Sequence, residues 1–518
     1  MNKTLFALPL IAPALLDGCT GSSRNAHDDG LPNVIIIYAD DLGFGDLPLY
    51  GGLHTATPNV ERLARQGTRF TNVHATASTS TPSRYALLTG EYAWRRPGTD
   101  VAAGDAGMII RPEQFTMADM FRSRGYATAA IGKWHLGLGD RSGEQDWNAP
   151  LAAAPGDLGF DYSFIMAATA DRVPCVFIEN GAVVSHDPQA PIEVSYSRNF
   201  EGEPTGRDNP ELLYNLRPSH GHDMSIVNGI SRIGYMKGGG RALWKDEYIA
   251  DSIAQHAVEF IGRNSDRPFF LYVATNDIHV PRFPHERFRG RSPMGLRGDA
   301  ILSFDWTVGQ VLDAVERAGI ADRTLIILSS DNGPAVDDGY DDRAEELLGG
   351  HSPTGYLRGG KYSAFEGGTM VPAVVWWPSR VAGGEVSDVL MSQIDWMRSL
   401  GSLIGAVLPR DAAPDSFDRL GNLLGEDAAD RPWVLEQAAD HTLSVCSREW
   451  KYIEPSDGAP MVTWGPKIET GYAPAPQLYG MAGRDETVNL AAENPDVTAR
   501  FERLLYRIRA NDYADTLE

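Results

Sequence analysis

The sequence predicts an α/β chain: a large, doubly wound, mostly parallel sheet flanked by helices, followed by a smaller C-terminal α+β subdomain. Three observations predict it. Apolar runs of strand length, NVIIIYADD, FFLYVATNDIH and TLIILSSDNG, each end in polar or acidic residues. Continuous β-branched runs are typical of parallel strands buried on both faces. Helical patterns alternate with them. Lys245 to Arg263 carries Ile249, Ile253, Ala257 and Phe260, while FDWTVGQVLDAVERAG sets Val308, Val311, Leu312 and Val315 on one face before Gly319. Finally, ligands of such sheets bind beyond the carboxyl ends of the strands. There fall Asp40, Asp41, Asn276, Asp277, His279, Asp331 and Asn332.

The chain opens with MNKTLFALPLIAPALLDGCTGSS, read as a secretion signal over residues 1–22. Lys3 gives the charged start, and Leu5 to Leu16 is an apolar core too short to span a bilayer. LDGC resembles a bacterial lipoprotein box, with a signal over residues 1–18 and Cys19 as the lipidated residue; cleavage near Gly21 is the alternative. Either outcome places the protein in a bacterial periplasm, or anchored at the outer membrane or cell surface. Cys175 and Cys446 are the only other cysteines, which is no disulfide framework, and their pairing is left open. With 69 Asp and Glu against 46 Lys and Arg, the net charge of −23 argues against nucleic-acid or anionic-membrane binding. The only membrane contact expected is a lipid anchor.

The main domain is expected over residues 31–404. Within it, STSTPSRYALLTG reads as a loop entering a helix, with Thr81 as cap, Pro82 at the first helical position and Gly90 as the stop. A stretch rich in Gly, Pro, Asp and Asn, about residues 140–242, is too long to idle and is expected to build a pocket. After an acidic, Pro- and Ala-rich segment, residues 405–518 hold a strand pair in HTLSVCSREWKYIE and a terminal helix in NPDVTARFERLLYRIR.

Acids at the ends of two strands, one of them a double Asp, suit a hard cation. Asp40, Asp41, Asp331 and Asn332 offer only oxygen, which fits Ca²⁺ or Mg²⁺ and not zinc. The bland alternative is helix capping. In AAIGKWHLG, Lys133 and His135 stand two apart; on extended chain their side chains point the same way. His279 follows a strand and Lys361 follows a double glycine. With Arg84 and one hydroxyl, these groups match hydrolysis of a tetrahedral oxyanion ester: cations stabilise the charge, a hydroxyl attacks and a histidine protonates the leaving oxygen.

STPSRYALLTG resembles the sulfatase motif, in which a Cys or Ser, any residue and Pro-Ser-Arg precede Thr-Gly. YADDLGFGDL, GKWHLG, NDIHVP, SSDNG and LRGGKYSAFEGG are similar to further sulfatase segments, in the same order. The resemblance implies that Ser80 is oxidised to formylglycine and touches a Ca²⁺ held by Asp40, Asp41, Asp331 and Asn332. It implies that Asp331 deprotonates the hydrated aldehyde for attack on sulfur, while His279 protonates the leaving alcohol. Lys361 would contact the sulfate, Lys133 and Arg84 would hold the diol, and His135 would remove the second hydroxyl's proton to expel sulfate. The chain departs from the family pattern twice. Met370 stands where an arginine usually precedes Val-Pro, so packing near Glu366 is expected to differ. Ser80 replaces the commoner Cys, so maturation calls for an anaerobic radical-type maturase.

The substrate implied is a sulfated carbohydrate, taken from the chain end as a terminal sulfated galactose or N-acetylgalactosamine, at position 4 or 6. Asp171, Arg172, His220 and His222 are the groups expected in the sugar pocket, with Trp134 or Trp244 as a stacking ring or, alternatively, part of the core. The alternatives are a salt-bridged turn at Asp171–Arg172 and a weak metal site at His220 and His222. Two other functions fit parts of the pattern. A phosphodiesterase or phosphonate hydrolase of the same superfamily would use Ser80 or Thr81 directly with two metals, but Lys133 and Lys361 stand where the second metal's ligands would be expected. A catalytically dead glycan-binding protein would keep Ser80 unmodified.

Overall fold

A computed structural model describes residues 30–484 and 486–511. The secretion signal and Cys19 lie outside the described residues. The Asn33–Ala39 strand forms the centre of the main sheet because Val34, Ile35, Ile36 and Ile37 bury completely on both faces. Each such side chain contributes about 1.5–3 kcal/mol of transfer free energy. Its neighbours, Thr324–Ser330 on one side and Phe269–Ala274 on the other, run parallel to it. Ala127–Lys133 and Tyr162–Met166 extend the sheet in parallel beyond Phe269–Ala274. On the opposite side Met370–Trp376 runs antiparallel between Thr324–Ser330 and Thr68–His74. The sheet has eleven strands. It is mostly parallel, as the three apolar runs predict, and those runs lie side by side.

Parallel pairing forces every connection to cross back over the sheet, so the carboxyl ends collect at one edge. Asp40 and Asp41, Asp331 and Asn332, Lys133 and His279 all arrive there. At one position the approach of strands dictates the residue: a Cβ on Gly132 would sit 1.9 Å from the Ala274 carbonyl oxygen, and its φ is 104°. Only glycine fits one step before Lys133.

Helices Ile249–Arg263 and Gly295–Arg317 pack against each other. The second starts well before the FDWTV segment in which the apolar face is legible. The helix after Thr68–His74 spans Ser80–Thr89 and ends at Gly90 with φ 64°, as expected. Its start corrects the sequence reading. Thr79 is the flanking residue, and Thr81 lies inside the helix, where its hydroxyl donates to the His135 carbonyl and accepts from the Ala102 amide. A tertiary partner outcompetes the local cap.

The irregular segment about residues 140–242 also holds more regular structure than its composition suggests. It supplies Tyr162–Met166, Phe177–Glu179 and Ala182–Val183 to the edge of the main sheet. The C-terminal part forms a four-stranded antiparallel sheet and the Pro495–Arg509 helix. The expected strand pair is Leu443–Cys446 with Trp450–Ile453. Cys175 and Cys446 are both buried free thiols. This small sheet is fastened to the Ser80 loop by backbone bonds: the Ser78 amide donates to Gln437 at 2.9 Å, and the Gln437 amide to Thr76 at 2.9 Å. Near Glu366 an arginine from elsewhere in the chain approaches Met370. The Arg484 guanidinium comes in from the C-terminal part, 2.9 Å from the Met370 sulfur and 3.6 Å from the Glu366 carboxylate.

Candidate active site

Ser80 stands at the first residue of its helix, where unpaired amides and the helix dipole favour negative charge. Its Oγ is 2.7 Å from Lys133 Nζ and 3.3 Å from both Asp40 Oδ1 and Asn332 Oδ1. Lys133 Nζ also bonds Asp40 Oδ1 at 2.6 Å. The Asn332 amide nitrogen donates to Asp41 Oδ1 at 2.7 Å, so the Asn332 oxygen faces Ser80. Lys361 Nζ bridges Asp41 Oδ2 at 2.9 Å and Asp338 Oδ2 at 2.8 Å. Burial works against its charge, but Asp338 and Asp41 prevail and hold the Lys361 ammonium well above its ordinary pKa.

Arg84 takes a less direct place than the motif suggests. It is wholly buried, and its guanidinium is engaged with Asp331 Oδ2, at 3.0 Å from Nε and 2.7 Å from Nη2, and with the Tyr272 hydroxyl. It does not line the cavity above Ser80; it orients Asp331.

The oxygen-only set fits a hard cation. Asp40, Asp41, Asp331 and Asn332 converge, and Asp40 Oδ2 is buried with no hydrogen-bond partner. Such an orphaned oxygen is costly unless a cation or donor meets it. Asp40, Asp41 and His279 also offer ligand atoms within 4.8 Å of one another.

The two histidines differ in state. His135 Nε2 bonds the Ala102 carbonyl at 2.9 Å, which places the proton there and leaves Nδ1 as a buried lone pair without a partner. Burial, reinforced by Lys133, holds this imidazole well below its ordinary pKa, so it stays neutral. His279 donates from Nδ1 to the Val280 carbonyl at 2.7 Å, and its Nε2 is 3.9 Å from Asp41 Oδ2. His135 has φ 56°, which turns the chain. Lys133 meets Ser80 at 2.7 Å, while His135 lines the cavity on which Ser80 opens, so both side chains reach one site.

One cavity of about 160 Å³ is lined by Ser80, His135, His279 and Lys361 together with Asp171, Arg172, His220 and His222. Asp171 accepts from Arg172 at 3.0 Å and pairs with His222 Nε2 at 3.0 Å. Against its burial, Arg172 and His222 keep that carboxyl well below the usual range. Backbone strain gathers here: Asp41, His135, His222 and Tyr362 all have φ between 47° and 77°. Such conformations cost about 1–3 kcal/mol each and persist where the surroundings enforce them.

The expected stacking rings are elsewhere. Trp134 is fully buried, donating to the Gly137 carbonyl, and Trp244 packs on Phe177 in the core. The aromatic residues lining the cavity are Tyr362 and Trp464, and with Asp338 they escaped the sequence reading. Tyr362 adjoins Lys361, a signal that was available; Trp464 sits in the C-terminal part with no motif around it. A larger cavity, about 470 Å³, lies at the far end of the Ser80 helix beside Glu91 and Arg111, away from every one of these groups.

The sulfatase family profile matches residues 32–406. The chain belongs to the sulfatase family. This sulfatase is 48% identical over 513 residues, 98% of its length and all of the other's, to the N-acetylgalactosamine-6-O-sulfatase of Bacteroides thetaiotaomicron. It is 33% identical to human arylsulfatase A over 403 residues, 77% of this chain and 69% of the relative. A solved 6S-sulfatase structure from a study of glycosaminoglycan metabolism by Bacteroides thetaiotaomicron superposes with a TM-score of 0.91 at 49% identity, over 93% of this chain and 99% of that one. The sulfatase is accordingly a sulfuric ester hydrolase.

Proposed function

We propose that this sulfatase removes the 6-sulfate from a terminal N-acetylgalactosamine of a glycan. One observation carries the reading: Ser80, His279 and Lys361 open on the same small cavity as the Asp171–Arg172–His222 network. A paired carboxylate, guanidinium and imidazole match the hydroxyls of a sugar ring, and the Bacteroides relative supports the choice of sugar and position.

Asp40, Asp41, Asp331 and Asn332 would hold a Ca²⁺, which would supply charge stabilisation that is worth most in a buried site. Formylglycine derived from Ser80 would supply a hydrated aldehyde, with a second hydroxyl that would let the sulfate leave without attack by a new water. Around them the chain's own groups divide the work. Lys133, 2.7 Å from Ser80 Oγ, stabilises negative charge on that oxygen. Asp331 takes the proton of the attacking hydroxyl, with Arg84 fixing its carboxylate. Lys361 holds a sulfate oxygen, and His279 Nε2 gives a proton to the leaving sugar oxygen. His135, neutral with Nδ1 unpartnered, accepts the proton whose removal releases sulfate.

Secretion through the N-terminal signal, with anchoring at Cys19 after a lipoprotein signal over residues 1–18 or release by cleavage near Gly21, and conversion of Ser80 by an anaerobic maturase complete the proposal. The test is sulfate release by the mature enzyme from N-acetylgalactosamine 6-sulfate, its 4-sulfate and galactose 6-sulfate. The first is expected to turn over fastest; a faster 4-sulfate would overturn the positional reading. The tryptic peptide Phe70 to Arg84 is expected two hydrogens lighter than its sequence mass.

A further inference from the structure

Tyr362 and Trp464 line the small cavity above Ser80. Those two rings, 5.2 Å apart and nearly perpendicular, form a wall with a second groove of about 240 Å³ against it. The groove is floored by Tyr472, Val462 and Met461, with Ala459 at its rim. Met461 and Trp464 are 41% and 53% exposed, two large apolar side chains on one loop. Exposed apolar area concentrated beside a catalytic cavity marks a binding surface more often than a scattered residue does.

The loop that carries them is built, not loose. The Val462 amide donates to Ile468 at 2.9 Å and the Thr470 amide to Pro460 at 3.0 Å, closing a hairpin. The Ala364 amide donates to Thr470 at 2.7 Å and Glu469 pairs with Arg358 at 2.7 Å, pinning the hairpin to the segment that carries Lys361. Its tip is seated on the sugar pocket itself: a Cβ on Gly465 would fall 2.0 Å from His220 Nε2. Rigid aromatic surface of this kind supplies contact area with little ordering cost.

We propose that this groove is a second sugar subsite, taking a neutral hexose unit attached to the sulfated sugar. The inference rests on the carbohydrate reading above. The first cavity, about 160 Å³, is small against the roughly 300–1,000 Å³ of pockets for drug-sized ligands, so it holds one ring and the rest of a glycan lies outside it. The groove adjoins it, sharing Tyr362 and Trp464. The apolar C–H face of a pyranose matches Met461, Trp464 and Tyr472. The charged residue lining the groove is Asp440, whose carboxylate accepts from Ser456 and the Thr442 amide, and no Lys or Arg lines it among the described residues. A carboxylate without a cation disfavours a uronic acid and accepts a neutral sugar.

The experiment compares kcat/KM for N-acetylgalactosamine 6-sulfate with two disaccharides that carry it at the non-reducing end, one linked to galactose and one to glucuronic acid. The galactose disaccharide is expected to exceed the monosaccharide by about tenfold and the glucuronic acid disaccharide to show no gain. Met461→Ala is expected to cut the disaccharide-to-monosaccharide ratio severalfold, and Ala459→Trp, which fills the groove, to bring it to one. Ratios unmoved by both variants while the monosaccharide is still hydrolysed would overturn the subsite alone, as would a preference for the uronic acid. If neither the monosaccharide nor either disaccharide loses sulfate, the carbohydrate reading fails and the subsite falls with it.

Discussion

Two acid-rich clusters are buried in this molecule, and both meet the same electrostatic problem with buried cations. Under Ser80, Asp40 bonds Lys133, Asp41 bonds Lys361 and Asp331 bonds Arg84, with Asp40 Oδ2 left without a hydrogen-bond partner. Between the main sheet and the C-terminal sheet, Glu366, Glu436 and Glu486 surround Lys451. Lys451 Nζ lies 2.8 Å from Glu366, 2.7 Å from Glu436 and 3.8 Å from Glu486, all fully buried. His74 adds a bond to Glu436 at 2.7 Å. The sealed cluster is balanced from within, by an ammonium and by a proton: burial and Glu366 push Glu486 up to about 8 against the pull of Lys451. His74, Glu366 and Cys446 lie close enough to share an ion, yet both His74 nitrogens are already hydrogen-bonded and Lys451 occupies the negative centre. Both clusters hold internal cations; what sets the first apart is Ser80, which lines the small cavity and lies 3.3 Å from Asp40.

The contrast is sharpest when each cluster is broken in turn. Ser80→Ala is expected to lower kcat on the order of 10⁶-fold, the scale for a lost nucleophile, with the melting temperature little changed. His135→Ala removes the proposed proton acceptor and should cost roughly 10²–10⁴-fold in kcat, read in single-turnover sulfate release. In the sealed cluster, Lys451→Met leaves carboxylates without their cation and is expected to cost about 3–5 kcal/mol of stability by urea unfolding. Activity per folded molecule should persist. Loss of activity with unchanged stability would mean that Lys451 serves the chemistry after all.

Removing calcium sets the clusters apart in another way. Chelation should lower the melting temperature of the wild type, and Asp40→Asn should abolish that calcium dependence, whereas Glu366→Gln should leave it intact. The smallest effect is a pH slope. A carboxyl whose folded pKa is about 8, against 4.5 unfolded, binds its proton more tightly in the native state. Its contribution to stability is therefore full below pH 4.5 and is lost as pH rises toward 8. Glu486→Gln is expected to flatten the fall in melting temperature across that window; an unchanged slope would assign the proton elsewhere.

Much of this site is legible in the linear chain because its pieces are short and local. NVIIIYADD, TLIILSSDNG and STPSRYALLTG each carry functional residues at the end of a strand or the start of a helix. There the residue type, the element boundary and the burial pattern agree. Thr81 was misread because its preferred local role, capping, lost to partners at Ala102 and His135 that only the fold brings near. Trp134 and Trp244 stay ambiguous in the sequence for a related reason: an indole next to motif residues is drawn into the core as readily as into a pocket. Asp338, Tyr362 and Trp464 have no periodic or motif signal of their own, and the loops that deliver them come from separate parts of the chain.

By itself the sequence determined the parallel core, the acidic residues at the strand ends, the position of Ser80 at a helix start and the cationic groups around it. These follow from local chemistry: β-branched runs must be buried, and acids at their ends must face the sheet's open edge. The tertiary structure alone decided that Arg84 serves Asp331 and that Arg484 stands beside Met370. It also decided that Trp464 from the C-terminal part joins Tyr362 in lining the pocket. Such contacts depend on long-range packing, in which the partner is chosen by space and charge rather than by spacing along the chain.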